Sequence, residues 1–165
     1  MKTLGTRLWP AFLVGAVLLV FISGTVVGVS QVRGPSMQPN YHNGQIILIN
    51  RWAYGLQFPI IGGYSWFWKA PMVGDIVILR NPSDGQMIIK RVAGVGGMPL
   101  RVKDQQLFIG QRRVPLSAWQ AYWLEAVPHV PAHTIFVLGD NPAQSYDSRD
   151  WGFAKETSVV GKLWN

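Results

Sequence analysis

The sequence predicts a mainly β domain preceded by one N-terminal transmembrane helix. Three observations carry this. Short β-branched runs recur between turn signals: Gln45-Ile-Ile-Leu-Ile-Asn50 follows Asn43-Gly44, and Gly74-Asp75-Ile-Val-Ile-Leu79 stops at Asn81-Pro82. The 18 Gly and 11 Pro interrupt the chain too often for long helices. From Leu8 to Val32 no residue is charged. The 165 residues leave room for one span and one compact domain of about 130 residues.

At a rise of about 1.5 Å per residue, segment 8–32 reaches across a hydrocarbon core of about 30 Å. A cleaved leader has a shorter apolar core, of about 7 to 15 residues, ending in a small-x-small site. Here Thr25-Val-Val-Gly-Val continues apolar where the cut would fall, so the expectation is an uncleaved anchor. Lys2, Arg7 and the free amine place residues 1–7 in the cytoplasm and the domain on the far side, with Arg33 working against that asymmetry. Val32 to Ser36 covers at most about 14 Å of extended chain, which sets Ser36 near the outer membrane surface.

Between the first two strand runs lie Trp52, Tyr54, Phe58, Tyr64, Trp66, Phe67 and Trp68, with Lys69 the nearby charge. These aromatics suit either a core hairpin or a surface at the headgroup level. Further on, Gln86-Met-Ile-Ile-Lys90-Arg-Val reads as a strand, so Lys90 shares a face with Ile88 and Val92 while Arg91 lies with Ile89. Arg101 to Pro115 reads as a hairpin, Trp119 to Glu125 as a short helix or loop, and Val137-Leu138 as a strand entering the turn Gly139-Asp140-Asn141-Pro142.

Charge and composition narrow the function classes. The formal charge of +7 is scattered, without a basic run; attraction to anionic lipid explains it at least as well as nucleic acid does, and no nucleic-acid partner is expected. With no Cys there is no thiol nucleophile, disulfide or Cys-ligated metal, and no cofactor or metal is expected. Ser36, held between Pro35 and Pro39, is either a turn residue or a nucleophile in need of a base. His42, His129 and His133 sit in turn or loop sequence without an evident orienting carboxylate. Lys90 serves instead if burial among Ile and Val lowers its pKa from about 10.4 toward 7 or 8.

Four motifs stand in a telling order: Ser36-Met37-x-Pro39, Gly74-Asp75-Ile76-Val77, Lys90-Arg91-Val92-x-Gly94, and Gly139-Asp140-Asn141 through Ser145-x-Asp147-Ser148-Arg149-x-Trp151-Gly152. Preceded by a spanning segment, they resemble the bacterial type I signal peptidases over nearly the whole chain. The resemblance implies a signal-peptidase/LexA-like antiparallel β-fold over 33–165, with a small variable insertion at about 97–136. It also implies a serine endopeptidase that cuts signal peptides from exported preproteins after small residues (Ala-x-Ala). Ser36 would be the nucleophile and oxyanion donor through its backbone N–H, Lys90 the general base, and Ser145 the hydroxyl that orients it. Arg91 with Asp140, and Asp147 with Arg149, would be structural ion pairs. A substrate strand would present small side chains to pockets beside Met37, Ile88 and Ile89.

The implied setting is a single-pass plasma-membrane protein whose partners are signal peptides, the lipid bilayer and the secretion translocon. Gly34 stands where some members carry a second oxyanion hydroxyl, Asn40 where Thr is usual, and Gly96-Gly97-Met98 where Pro-Gly-Asp is customary. Two alternatives stay open. One is a relative that matures a single client such as a conjugative pilin. The other is an inactive membrane-anchored binding module. LexA-like autoproteases share the Ser-Lys chemistry but carry a DNA-binding domain and no anchor.

Overall fold

A computed structural model describes residues 10–15, 26–57 and 64–164. Its strands are β1 (Val27–Gln31), β2 (Ile46–Asn50), β3 (Gly55–Gln57), β4 (Tyr64–Phe67), β5 (Ile76–Arg80), β6 (Met87–Val95), β7 (Leu100–Lys103), β8 (Gln106–Ile109), β9 (Arg112–Pro115), β10 (Thr134–Leu138), β11 (Ala154–Lys155) and β12 (Val159–Leu163). Helices α1 (Ala118–Glu125) and α2 (Ser148–Trp151) lie late in the chain. The main sheet has seven strands in the order β1-β2-β12-β5-β6-β10-β11, antiparallel throughout. Beside it stand the β3-β4 hairpin and a β7-β8-β9 meander.

Burial follows the side-chain alternation of each strand. Ile47 and Ile49 of β2 are buried while Ile46 and Leu48 face out. Central β5 is buried on both faces, which is why Ile-Val-Ile-Leu reads as an unbroken apolar run. Its Ile76 and Ile78 join Met37, Ile47, Ile49 and Leu163 on one side. Val77 and Leu79 join Tyr54, Val92, Ile135 and Val137 on the other. A further core under the meander gathers Leu107, Ile109, Leu124 and Phe136. β6, nine residues long, runs past all three and delivers Lys90 and Arg91 to the end of the sheet where the β1-β2 connection lies.

Three sequence expectations change. Val27–Gln31, placed in the apolar segment 8–32, form a strand paired residue for residue with β2 from Val27↔Asn50 to Gln31↔Ile46. Composition alone does not separate an apolar β-branched strand from the end of a membrane helix, and β2 supplies the ladder that decides it. The β domain therefore begins before residue 33. Arg101 to Pro115 fall in a meander and not a single hairpin, because Gly110 at φ +55° turns the chain once more. The turn Gly139-Asp140-Asn141-Pro142 does not end at the proline but continues into a 3-10 turn over Pro142–Gln144 and helix α2 over Ser148–Trp151.

Residues 10–15 are helical and exposed. Among the described residues no helix is long and apolar enough to cross a membrane. Residues 1–7 and, within the expected anchor, residues 8–9 and 16–25 lie outside the described residues. The aromatic stretch divides: Tyr54 is core at 1% exposure, whereas Trp66 and Trp68 are 74% and 55% exposed. Phe58 lies outside the described residues.

Candidate active site

Ser36 occupies the connection between β1 and β2, and short hydrogen bonds hold that connection at both ends. Val32 N–H donates to Gln45 O and Gly44 N–H to Val32 O, extending the β1-β2 ladder toward the serine. Gly34, at φ +82°, needs a conformation that side chains disfavour, and its N–H donates to Asn43 Oδ1 at 2.9 Å. From the far end of the chain, Asn141 N–H donates to Ser36 O at 3.0 Å and Asn141 Nδ2 to Pro35 O at 3.3 Å. The Ser36 loop is thus clamped to the turn that follows β10.

Lys90 reaches this loop from the middle of β6. Its cross-strand partner is Val77, and its face neighbours along β6 are Ile88 and Val92, so its stem runs among apolar groups. Lys90 is 4% exposed, and its Nζ lies 2.9 Å from Ser36 Oγ, to which it donates. Burial holds the amine below the ordinary lysine pKa. Asp147 opposes that shift and Arg149 adds to it. When the amine is neutral, its lone pair can accept the serine proton over the same distance. The three histidines are exposed, and none bonds Ser36.

Ser145 does not bond Lys90 among the described residues. Its hydroxyl donates to Asp147 Oδ2 at 2.6 Å. Asp147, fully buried, also accepts from Gly139 N–H and from the Arg149 guanidinium through both carboxylate oxygens. It caps α2 as well, accepting from Arg149 N–H, while Asp150 accepts from Asp147 N–H. Ser148 points elsewhere, its Oγ accepting from Val137 N–H. Gly139 explains how Ser145 comes near the serine: a Cβ there would sit 2.2 Å from Ser145 Oγ and 2.5 Å from Ser36 O.

On the other face of β6, Arg91 grips Asp140 with two hydrogen bonds of 2.7 and 2.6 Å, and Asn40 Nδ2 adds a third at 2.7 Å. Burial acts to raise the Asp140 pKa, but the Arg91 and Asn40 hydrogen bonds outweigh it and hold the carboxyl below its ordinary value. Asn40 thereby ties the Ser36 loop to the ion pair.

Ser36 and Lys90 open into a groove of about 460 Å³ floored by Met37 and Ile78 and walled by Ile88 and Ile89. Met37 is almost wholly buried, whereas the two wall isoleucines are half-buried. The Ser36 N–H has no hydrogen-bond partner among the described residues, Pro35 has none to give, and that of Gly34 is spent on Asn43.

A serine with a buried lysine at hydrogen-bond distance, in a groove open to an extended peptide, is equipped for acyl transfer. Residues 5–164 match the family described as signal peptidase, peptidase S26. The chain belongs to this family. Similar relatives include Signal peptidase I V of Bacillus subtilis (strain 168), 29% identical over 95% of this chain and 96% of its own length. Signal peptidase I of Pseudomonas fluorescens is 30% identical over 97% of this chain and 70% of its own length. That of Bacillus caldolyticus is 28% identical over 95% and 87%. As a family member the chain is a type I signal peptidase, a serine endopeptidase.

Asn40, Asn43, Gly139 and Asn141 were not marked as site residues by the sequence. The signal that existed was turn chemistry, Asn43-Gly44 and Gly139-Asp140-Asn141-Pro142, which shows that the chain reverses but not what the reversal grips.

Proposed function

We propose that this chain removes signal peptides from exported preproteins with Ser36 as nucleophile and Lys90 as general base. The observation that carries it is the 2.9 Å contact between a buried amine and a hydroxyl at the head of an open groove. Lys90 Nζ takes the Ser36 proton as Oγ attacks the scissile carbonyl. The Ser36 N–H receives the oxyanion, a contribution typically worth about 3 kcal/mol. On collapse, Nζ returns the proton to the leaving amine. Water then enters and attacks the acyl carbonyl while giving a proton to Nζ, which passes it to Oγ as the C–Oγ bond breaks and the acid product leaves.

Asp147 fixes the surroundings of the base. It holds Ser145 beside the Ser36 carbonyl and Arg149 within reach of the amine's field, so Ser145 is a positioning residue that acts on Lys90 through Asp147. Arg91 with Asp140 does the same for the loop through Asn40. Substrate docking draws support from the sheet edges. Met87–Lys90 pair with β5 on one side, while β10 joins β6 only from Arg91 onward. An extended preprotein segment adds a strand there, its small side chains one and three residues before the cut entering the pockets at Met37, Ile88 and Ile89.

The apolar segment before β1 anchors the enzyme in the plasma membrane with the β domain extracytoplasmic, and exposed Trp66 and Trp68 rest at the headgroup level beside the bilayer and the translocon. Full-length protein in detergent, given a preprotein with an Ala-x-Ala site, is expected to cleave it. Ser36→Ala and Lys90→Ala are expected not to. A wild type inert on every signal peptide, or a Ser36→Ala variant that still cuts, would overturn this function.

A further inference from the structure

Arg33 stands in the wall of the same groove, opposite the β6 residues and three positions before Ser36. At most about 10 Å of chain separates the two. Its side chain is exposed, and among the described residues its guanidinium has no hydrogen bond or ion pair. The groove lining includes no Asp or Glu. The carboxylates nearest the catalytic pair are already spoken for, Asp140 by Arg91 and Asp147 by Arg149. Asp84, close in sequence to the β6 wall, is turned into its own loop to accept the Gln86 N–H. Lys90 is buried and its Nζ is turned onto Ser36 Oγ, so Arg33 is the exposed cation of the groove lining that a bound peptide meets.

We infer that Arg33 is a specificity-determining residue that favours clients carrying an acidic side chain two or four residues before the cut. This rests on the proposed function and refines it. Side chains alternate along an extended substrate, so those one and three residues before the cut face the Met37, Ile88 and Ile89 pockets while those two and four before it face away. The enzyme wall alternates in the same sense. Val32 is buried at 2%, whereas Gln31 and Arg33 lie on the outer side. A carboxylate at the outward substrate positions meets the free guanidinium, and an ammonium there is repelled by it.

The test uses full-length enzyme in detergent and Ala-x-Ala peptides carrying Glu, Gln or Lys at the second or fourth position before the cut. At low salt the wild type is expected to prefer Glu over Lys by about fivefold in kcat/KM, as a solvent-exposed ion pair allows. The preference shrinks at molar salt. It disappears in Arg33→Gln and reverses in Arg33→Glu. Equal rates on Glu and Lys peptides in the wild type, or an unchanged preference in Arg33→Glu, would overturn the inference while cleavage of the Gln peptide leaves the peptidase function standing. Failure of the wild type on all three peptides would remove both.

Discussion

Replacing Lys90 by Met separates the chemistry of the lysine from its cost. Methionine has similar length and no charge, so it fills the same space between Ile88 and Val92. Cleavage is expected to fall by about 10²- to 10⁴-fold, the usual contribution of a general base, or roughly 3–5 kcal/mol of barrier. Stability is expected to move the other way. In the wild type, burial disfavours the ammonium, and the native state releases its proton below the ordinary value of 10.5. Between the native pKa and 10.5 the unfolded chain holds a proton that the native state has lost, so wild-type stability climbs with pH through that window. Lys90→Met lacks this slope. Its advantage is therefore fully present below the native pKa and gone above 10.5, at about 1.4 kcal/mol for each pH unit the window spans. Loss of the bond to Ser36 takes back about 1 kcal/mol. Urea unfolding across a pH series, beside a cleavage assay, measures both. A Lys90→Met protein that is less stable than wild type at neutral pH, or that retains cleavage, would refute the assignment of Lys90 as a buried, destabilised base.

Ser145→Ala removes a hydroxyl from Asp147 but leaves that carboxylate its Gly139 and Arg149 donors. A fall of about tenfold in kcat with KM unmoved is expected, together with a shifted pH profile; a change in thermal stability alone would show a merely structural role. Gly139→Ala drives a methyl into Ser145 Oγ and the Ser36 carbonyl. The expected outcome is a loss of about 1–3 kcal/mol in denaturant unfolding and a disproportionate loss of cleavage. Asp140→Asn breaks the ion pair with Arg91 and is expected to cost about 3 kcal/mol. Because the native Asp140 pKa lies below 3.8, the wild type loses this stability as pH falls from 3.8 through the native value, an acid limb that the variant lacks. Acid titration of both proteins by circular dichroism checks it. Asp75, likewise held low against its own burial by Lys162, Met72 N–H and Tyr54, supplies a second acid limb that survives in Asp140→Asn.

Lys90 was legible because period-two alternation around a β-branched run places every second side chain in the interior, and a lysine in that phase stands out. Arg91, one residue on, was assigned to the opposite side by the same rule. Pairing was harder to read. Val27–Gln31 carry the apolar character of a membrane helix, and only the presence of β2 makes them a strand. Ser145 and Ser148 stand three residues apart in one motif, and the reciprocal caps of Asp147 and Asp150 start helix α2 between them. That helix sends Ser148 to β10 and leaves Ser145 with Asp147. Cap chemistry of this kind is local in sequence, yet its effect on where a neighbouring hydroxyl points depends on tertiary contacts that no window of residues contains.

The clasp between Asn141 and the Pro35-Ser36 carbonyls spans 106 positions in its longer-range bond, and Asn40 on Asp140 joins the same loop to the same turn. It consequently makes activity a reporter of the C-terminal segment. Fraying of the region after β10, too slight to register as loss of sheet, would release the serine from its seat before the core gives way. Such an enzyme is expected to lose cleavage on heating below the temperature at which its sheet melts, and to recover it on cooling.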